Sequence, residues 1–136
     1  MQDRVFEGGC LCGSVRYRVI GSPRSSSLCF CRSCRLASGS PSVAWLVVDV
    51  SQFELLSGQI ARFQSSPHVT RGFCPKCGTP LTYEHADDSN AIELTTATLD
   101  DPNALPPTKE IWHSQRVTWA PSNPTIQHFP EESESK

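Results

Sequence analysis

Seven cysteines, arranged in two groups, constrain the fold of this 136-residue chain more than any other feature. The first group, called the tetrad here, consists of two pairs, Cys10 with Cys12 and Cys74 with Cys77; the second, the triplet, is Cys29, Cys31 and Cys34. Four thiolates close a tetrahedral zinc site, whereas three leave a position open for water or substrate. The count therefore predicts one metal for folding and one for chemistry.

The two pairs of the tetrad have the form of zinc knuckles. Gly13 and Gly78 follow the pairs, and glycine permits the tight turn that points backbone N–H groups at sulfur. A lone Cys-x-x-Cys can also be a redox pair, but no thioredoxin-like βαβ pattern surrounds this one. A metal shared by both pairs joins the first strand to the middle of the chain. Spacing and ligand type thus predict a structural zinc here.

Two alternatives to a zinc site are considered for the triplet, namely buried apolar cysteines and an iron–sulfur cluster. A buried apolar cysteine is common for one residue but implausible for three within six. The spacing fits no usual iron–sulfur pattern, and a fourth cysteine is missing. A zinc held by three thiolates, with water outward, remains. A histidine could still fill the fourth position and make the site structural; the candidates are His68, His85, His113 and His128.

Charge is unevenly distributed along the chain. The net charge is −2, yet the stretch from Gly8 to Val48 contains five arginines and no acid. Either these form a solvated face, or they keep thiolates ionised and bind ligand carboxylates. Arg32 and Arg35, beside the triplet, are the candidates for ligand binding. The negative total and the few arginines argue against a nucleic-acid partner.

Cysteine usage and hydropathy predict a reducing, membrane-free setting. The odd cysteine count argues against a secreted disulfide framework. Met1 leads into no apolar signal segment, and no run approaches the ~20 apolar residues of a membrane span. We therefore expect a cytoplasmic protein with thiols on metal.

The chain predicts a mainly β domain of about eight strands, with at most short helices near residues 35–38 or 102–105. Predicted strands lie at Val15–Ile20, Ser42–Val50, two within Phe53–Phe63, Leu81–Tyr83, Ala91–Leu99 and Ile111–Trp119, and Ser25–Ser27 is predicted as a turn or loop. We expect one domain over residues 1–125 and a flexible acidic tail over 126–136.

Three stretches carry a family resemblance. They are Gly9–Tyr17 (GCLCGSVRY), Cys29-x-Cys31-x-x-Cys34-Arg35, and Gly72–Gly78 with its Cys-x-x-Cys-Gly; Thr98–Pro102 and the Trp119 region fit the same pattern. The chain resembles the glutathione-dependent formaldehyde-activating enzyme family, which includes centromere protein V. The resemblance covers about residues 5 to 120. Phe30 and Glu110 stand where family members often have histidine.

The resemblance implies a fold, two zinc ions and an activity. The fold is an Mss4-like zinc-containing β fold of several short antiparallel strands with little helix. A structural zinc is implied at Cys10, Cys12, Cys74 and Cys77, and a catalytic zinc at Cys29, Cys31 and Cys34. The implied activity is that of a carbon–sulfur lyase, which joins a small aldehyde such as formaldehyde to the thiol of glutathione.

Two other functions are compatible with the same cysteines. One is a non-catalytic zinc module that binds protein partners, as related centromere and Mss4-like proteins do. The other is a redox-sensing or metal-buffering protein, which would release zinc to oxidants without turnover. The intact triplet, and the lack of a long basic extension, favour the enzyme.

Overall fold

Strands dominate residues 4–133, the part of the chain that the computed structural model describes. This part forms eleven strands in two sheets and one short α-helix, which confirms the predicted mainly β fold class. The three-stranded sheet contains β1 (Val5–Gly9), β2 (Arg16–Ile20) and β5 (Phe53–Ser57). The eight-stranded sheet contains β3 (Ser25–Cys29), β4 (Val43–Asp49), β6 (Ala61–Ser66), β7 (Val69–Phe73), β8 (Pro80–His85), β9 (Ala91–Thr95), β10 (Lys109–Ile111) and β11 (Gln127–His128).

The strand orders are β1-β2-β5 and β11-β10-β3-β4-β9-β8-β7-β6. All pairings are antiparallel except those of β10, which runs parallel to both β3 and β11. The helix α1 (Arg32–Ser38) follows β3 directly. Residues 4–133 also contain four 3-10 turns, at Val50–Gln52, Thr96–Thr98, Pro102–Ala104 and His113–Gln115.

The strand β4 separates two apolar clusters because its side chains alternate between the two faces of the sheet. Leu46 and Val48 face a cluster that includes Tyr17 and Val19 of β2, together with Cys10 and Cys74. Trp45 faces the other cluster, which contains Cys29, Cys34 and Ile111. Burying each large apolar side chain contributes about 1.5–3 kcal/mol. The two cysteine groups therefore lie in separate hydrophobic surroundings.

Three local predictions are wrong; one is the strand predicted over Ala91–Leu99, which ends at Thr95 and is followed by the 3-10 turn Thr96–Thr98. Residues 25–27 form part of β3 and not a turn, and Ser26 and Ser27 are buried. The strand predicted over Ile111–Trp119 ends at Ile111, because Trp112 has a left-handed backbone (φ 54°) that turns the chain into a 3-10 helix. The helix expected near residues 35–38 is confirmed as the second half of α1.

The segment predicted as a tail contacts β10 along the part that the structure describes. Phe129 N–H donates to the carbonyl of Glu110, at 2.8 Å, and Trp112 N–H donates to that of Glu131, at 2.9 Å. Residues 134–136 of the predicted tail lie outside the described residues, and the boundary at residue 125 stays a prediction. Within residues 4–133, no helix has the length and apolar character needed to cross a membrane.

Candidate metal centres

The four thiols of the tetrad meet between the two sheets. Cys10 and Cys12 follow β1, and Cys74 and Cys77 lie in the turn from β7 to β8. The four Sγ atoms all lie within 4.8 Å of one another. The separation is 3.6 Å between the sulfurs of Cys10 and Cys12, and 3.8 Å between those of Cys12 and Cys74. Around a metal with ligand bonds of about 2.3 Å, the edge of a sulfur tetrahedron is about 3.8 Å, so the group can hold zinc.

The turns that carry the tetrad direct polar hydrogens at its sulfurs. Gly13 and Gly78 both have left-handed backbones (φ 81° and 80°), which glycine adopts at little cost. The N–H of Val15 donates to Cys10 Sγ at 3.3 Å, and the N–H groups of Lys76 and Cys77 donate to Cys74 Sγ at 3.4 Å. Such donors stabilise thiolates, the form that ligates metal.

Two pKa values in the tetrad show the same effect. The hydroxyl and N–H of Thr79 lower the pKa of Cys77 to about 5. Burial alone would raise the pKa of Cys10, but hydrogen bonds from Val15 N–H and from neighbouring side chains outweigh it and lower the value to about 7. At these two thiols the tetrad is thus prepared to lose a proton and bind a cation.

The triplet is built on the junction between β3 and α1. Cys29 ends β3, Cys31 is the N-cap of α1, and Cys34 lies in the first helical turn. Cys31 Sγ accepts a hydrogen bond from Cys34 N–H at 3.3 Å. Contacts with Cys29 and Cys34 lower the pKa of Cys31, and contacts with Cys31 and Cys34 raise the pKa of Cys29. Three thiols in this arrangement share negative charge, which a bound cation would balance.

The three Sγ atoms lie within 4.8 Å of one another and open onto a cavity of about 240 Å³. Trp45, Tyr83 and Trp112 line the cavity beside the triplet, as do the polar side chains of Ser33 and Gln115. Among the described residues, no histidine or carboxylate joins the three thiols as a fourth metal-ligating group. The site can therefore hold a metal with one position facing the cavity.

Arg71 is the arginine that the structure places at the triplet. Its two terminal nitrogens, Nη1 and Nη2, each lie 3.8 Å from Cys34 Sγ. Its guanidinium group packs over Tyr83, at 5.1 Å from the ring centre, and Nε donates to Ser65 Oγ at 3.3 Å. A cation fixed on three sides can both stabilise a thiolate and bind a ligand carboxylate.

Arg32 and Arg35, the arginines singled out by the sequence, are not among the residues that line the cavity. Arg32 is exposed on α1, and its backbone N–H donates to Gln115 Oε1 at 2.8 Å. Arg35 is half-buried on the same helix. Their predicted role in ligand binding stays a prediction. Sequence reasoning missed Arg71 because 37 positions separate it from Cys34, its partner across the fold.

The histidines considered as fourth ligands lie elsewhere. His68 and His85 stack on each other, with ring centres 6.0 Å apart. His113 and His128 stack at 4.4 Å beside Glu110, whose side chain is fully buried. These three residues form a separate cluster whose donor atoms lie within 4.8 Å of one another.

This chain is similar to known proteins in sequence and in fold. The family model described as glutathione-dependent formaldehyde-activating enzyme matches residues 5–115. An uncharacterized lyase of Schizosaccharomyces pombe is 31% identical over 88 residues, which cover 62% of this chain and 61% of that protein. The crystal structure of a Rhodobacter sphaeroides protein superposes with a TM-score of 0.57 at 16% identity, covering 90% of this chain and 98% of the other. The last likeness shows the fold alone.

Proposed function

Because the chain belongs to the glutathione-dependent formaldehyde-activating enzyme family, we propose that it is a carbon–sulfur lyase acting on a thiol and a small aldehyde. The single observation that carries this proposal is the position of the triplet. Its three thiols open onto a cavity of about 240 Å³, whereas the tetrad contributes no residue to that cavity. The thiol substrate is glutathione or a similar molecule, and the aldehyde is formaldehyde or one of similar size.

We assign zinc to both cysteine groups, one ion to each. All-thiolate donor sets favour soft or borderline cations such as zinc, and the sulfur separations in the tetrad fit zinc–sulfur bonds. The tetrad would hold a structural ion and the triplet a catalytic one. When bound at the triplet, zinc supplies acidification of an incoming thiol, because a coordinating thiol is deprotonated.

The chain's own residues orient the substrates. Arg71 is aimed at the triplet and can hold a carboxylate of the thiol substrate through its paired Nη donors. Trp45 and Trp112 form apolar walls that limit the access of water. Ser33 and Gln115 offer hydrogen bonds to the polar end of the aldehyde or of its adduct.

The reaction balances without a redox step. The thiol loses its proton, its sulfur attacks the carbonyl carbon, and a C–S bond forms as the C=O π bond breaks. The oxygen then takes up one proton, which gives an S-hydroxyalkyl adduct. The reverse reaction removes that proton and cleaves the C–S bond, which makes the enzyme a lyase.

The test must separate catalysis from spontaneous adduct formation. Exchange NMR measures the rate at which formaldehyde and glutathione interconvert with their adduct, with and without protein. We expect wild type to exceed the uncatalysed rate and Cys31→Ser to fall to it, with Leu36→Gln on the exposed side of α1 as the matched control. Full activity in Cys31→Ser would remove the triplet from the reaction.

Metal analysis of the same samples tests the assignment of two ions. Wild type should hold one zinc for each cysteine group, and Cys31→Ser should keep only the ion of the tetrad. One zinc per wild-type chain would contradict the two-site arrangement. Zinc release by oxidant with no turnover would instead support a sensing role.

All seven cysteines are free thiols, which fits the reducing cytoplasm we propose as the location.

A further inference from the structure

A third group of metal-ligating side chains lies on the far side of β10 from the cavity. Glu110 and His128 are direct partners in the parallel pairing of β10 with β11. The left-handed backbone at Trp112 turns the chain so that His113 returns to Glu110. Nε2 of His113 and Nε2 of His128 each lie 3.3 Å from Glu110 Oε1. Two imidazoles and one carboxylate thus converge from the two paired strands and the 3-10 turn that follows β10.

The distances and donor types suit a divalent transition metal. For ligand bonds of about 2.0–2.1 Å, the edge of a zinc tetrahedron is about 3.3 Å, the separation found at both histidines. Two histidines and one carboxylate form a common donor set for zinc and for iron(II). The group contains no thiol, so it is chemically distinct from the tetrad and the triplet.

The carboxylate of Glu110 is held in place by neighbours that would support a ligand. Its side chain is 0% exposed, and a carboxylate buried in this way favours a nearby positive charge. Ser122 Oγ donates to Oε1 at 2.7 Å, and Asn123 N–H donates to Oε2 at 2.6 Å. Hydrogen bonds of this kind fix the orientation of metal-binding carboxylates.

Three contacts would have to yield to an ion, the first of which joins Nε2 of His113 to Ser122 Oγ at 3.2 Å. Nη1 of Arg116 lies 2.9 Å from Nδ1 and 2.6 Å from Nε2 of His113, so its guanidinium is the cation at the cluster. Nε2 of His128 also lies 2.8 Å from the carbonyl oxygen of Asn123, to which it donates. Arg116 is only half-buried and can turn outward. Metal and guanidinium therefore compete for the Nε2 atom of His113.

We propose that Glu110, His113 and His128 form a third, thiol-free site for a divalent transition metal, with zinc as the ion tested. The ion displaces the Arg116 guanidinium from His113 and supplies a positive charge at the buried carboxylate. It would fasten the segment from Ser122 to His128 onto β10. His113 also packs edge-on against Phe30, at 5.6 Å between ring centres. Because Phe30 lies between Cys29 and Cys31, this contact connects the proposed site to the triplet.

The proposal is tested by isothermal titration calorimetry, in which zinc is added to the full-length protein that already holds two zinc ions. We expect wild type to bind one further zinc per chain, and His128→Gln to lose that event while keeping the zinc already bound to cysteine. The matched control is His68→Gln, an exposed histidine outside the cluster. If wild type and His128→Gln take up the same zinc, the site does not exist.

Arg116→Gln tests the same site without touching a ligand. Removing the competing cation should tighten the additional zinc by about tenfold or more, because one charge-assisted contact no longer has to be broken. An unchanged or weaker affinity would overturn the competition on which the proposal rests. Cobalt substitution gives a second readout: the extra ion should add no sulfur-to-metal charge-transfer band, whereas a band would place it on cysteine instead.

Discussion

The tetrad and the triplet use the same ligand atom for opposite purposes. The tetrad draws its thiols from two turns more than 60 positions apart, Cys12 and Cys74 being in contact at 3.8 Å. The triplet draws all of its thiols from one strand end and the helix that follows. A metal on the first group ties distant parts of the chain together, whereas a metal on the second closes only a short loop. The difference teaches that the length of chain between the ligands, and not the ligand type, distinguishes a structural site from one that faces the cavity.

The hydrophobic surroundings reinforce this contrast. Cys10 and Cys74 belong to the cluster between the two sheets, and Cys74 is fully buried. The triplet belongs to the smaller cluster around Trp45 and Ile111, one side of which is the cavity. We therefore expect the fold to depend on the tetrad, and the proposed chemistry to depend on the triplet.

The largest expected effect comes from removing one thiol of the tetrad. A structural zinc contributes an apparent ~10–16 kcal/mol to folding at neutral pH, comparable to the whole ~5–15 kcal/mol of a typical domain. Cys74→Ser should therefore show no cooperative unfolding transition in urea. Cys31→Ser should still unfold cooperatively, because it keeps the tetrad ion and serine is also a good N-cap for α1. Equal losses in both variants would erase the distinction between the groups.

Chelation should separate the two ions in time. The triplet metal faces the cavity and should leave first, with the far-UV circular dichroism unchanged. Loss of the tetrad metal should coincide with loss of that signal, because the ion joins β1 to the turn before β8. Simultaneous release of both ions, with one structural transition, would show that the two sites are not independent.

The sequence predicted both cysteine groups because their ligands are grouped locally. Each pair or triplet is a short motif, and strands such as β2 and β4 show their burial in alternation or in continuous apolar residues. The strand β3 escaped prediction because serines fill it. Ser26 can be buried because its Oγ donates to the carbonyl of Pro106, at 3.1 Å, and this partner lies 80 positions away in the sequence.

Arg71 at the triplet and the pairing of Glu110 with His128 could not be predicted from the sequence either, because both depend on the order of strands in the sheet. Arg71 reaches Cys34 only after β7 has joined the eight-stranded sheet. Glu110 meets His128 through a parallel pairing of two very short strands, for which the sequence gives no periodic signal. Contacts that depend on the order of strands in a sheet leave little trace in local patterns.

The two tyrosines offer a finer comparison of the regions, since Tyr17 packs near the tetrad and Tyr83 lines the cavity. Burial raises the pKa of each to about 12 from an ordinary 10. The folded pKa exceeds the unfolded value, so this contribution to stability is complete below pH 10 and is lost as pH rises toward 12. For Tyr17, which is 1% exposed, a shift of this size corresponds to roughly 2–3 kcal/mol.

This contribution is measured as the difference between the unfolding free energies of wild type and Tyr17→Phe, determined by denaturation between pH 8 and 12. Tyr17→Phe should lose less stability across the range, although it starts lower because it lacks the hydrogen bond to Thr98, at 2.7 Å. Tyr83→Phe should show a smaller change in slope, since Tyr83 is only half-buried. Parallel pH profiles for wild type and Tyr17→Phe would show that burial does not set the pKa of Tyr17.

The smallest expected effect sharpens the chemical side of the comparison. Arg71→Gln should raise the KM for glutathione about tenfold, or about 1.4 kcal/mol, because a charge-assisted hydrogen bond to a substrate carboxylate is lost. The KM for 2-mercaptoethanol, a thiol without a carboxylate, should not change. Arg62→Gln, on the exposed edge strand β6, is the matched control and should leave both values unchanged. An equal loss with both thiols would mean that Arg71 acts on the thiolates of the triplet and not on the substrate, since its Nη atoms contact Cys34 in either case.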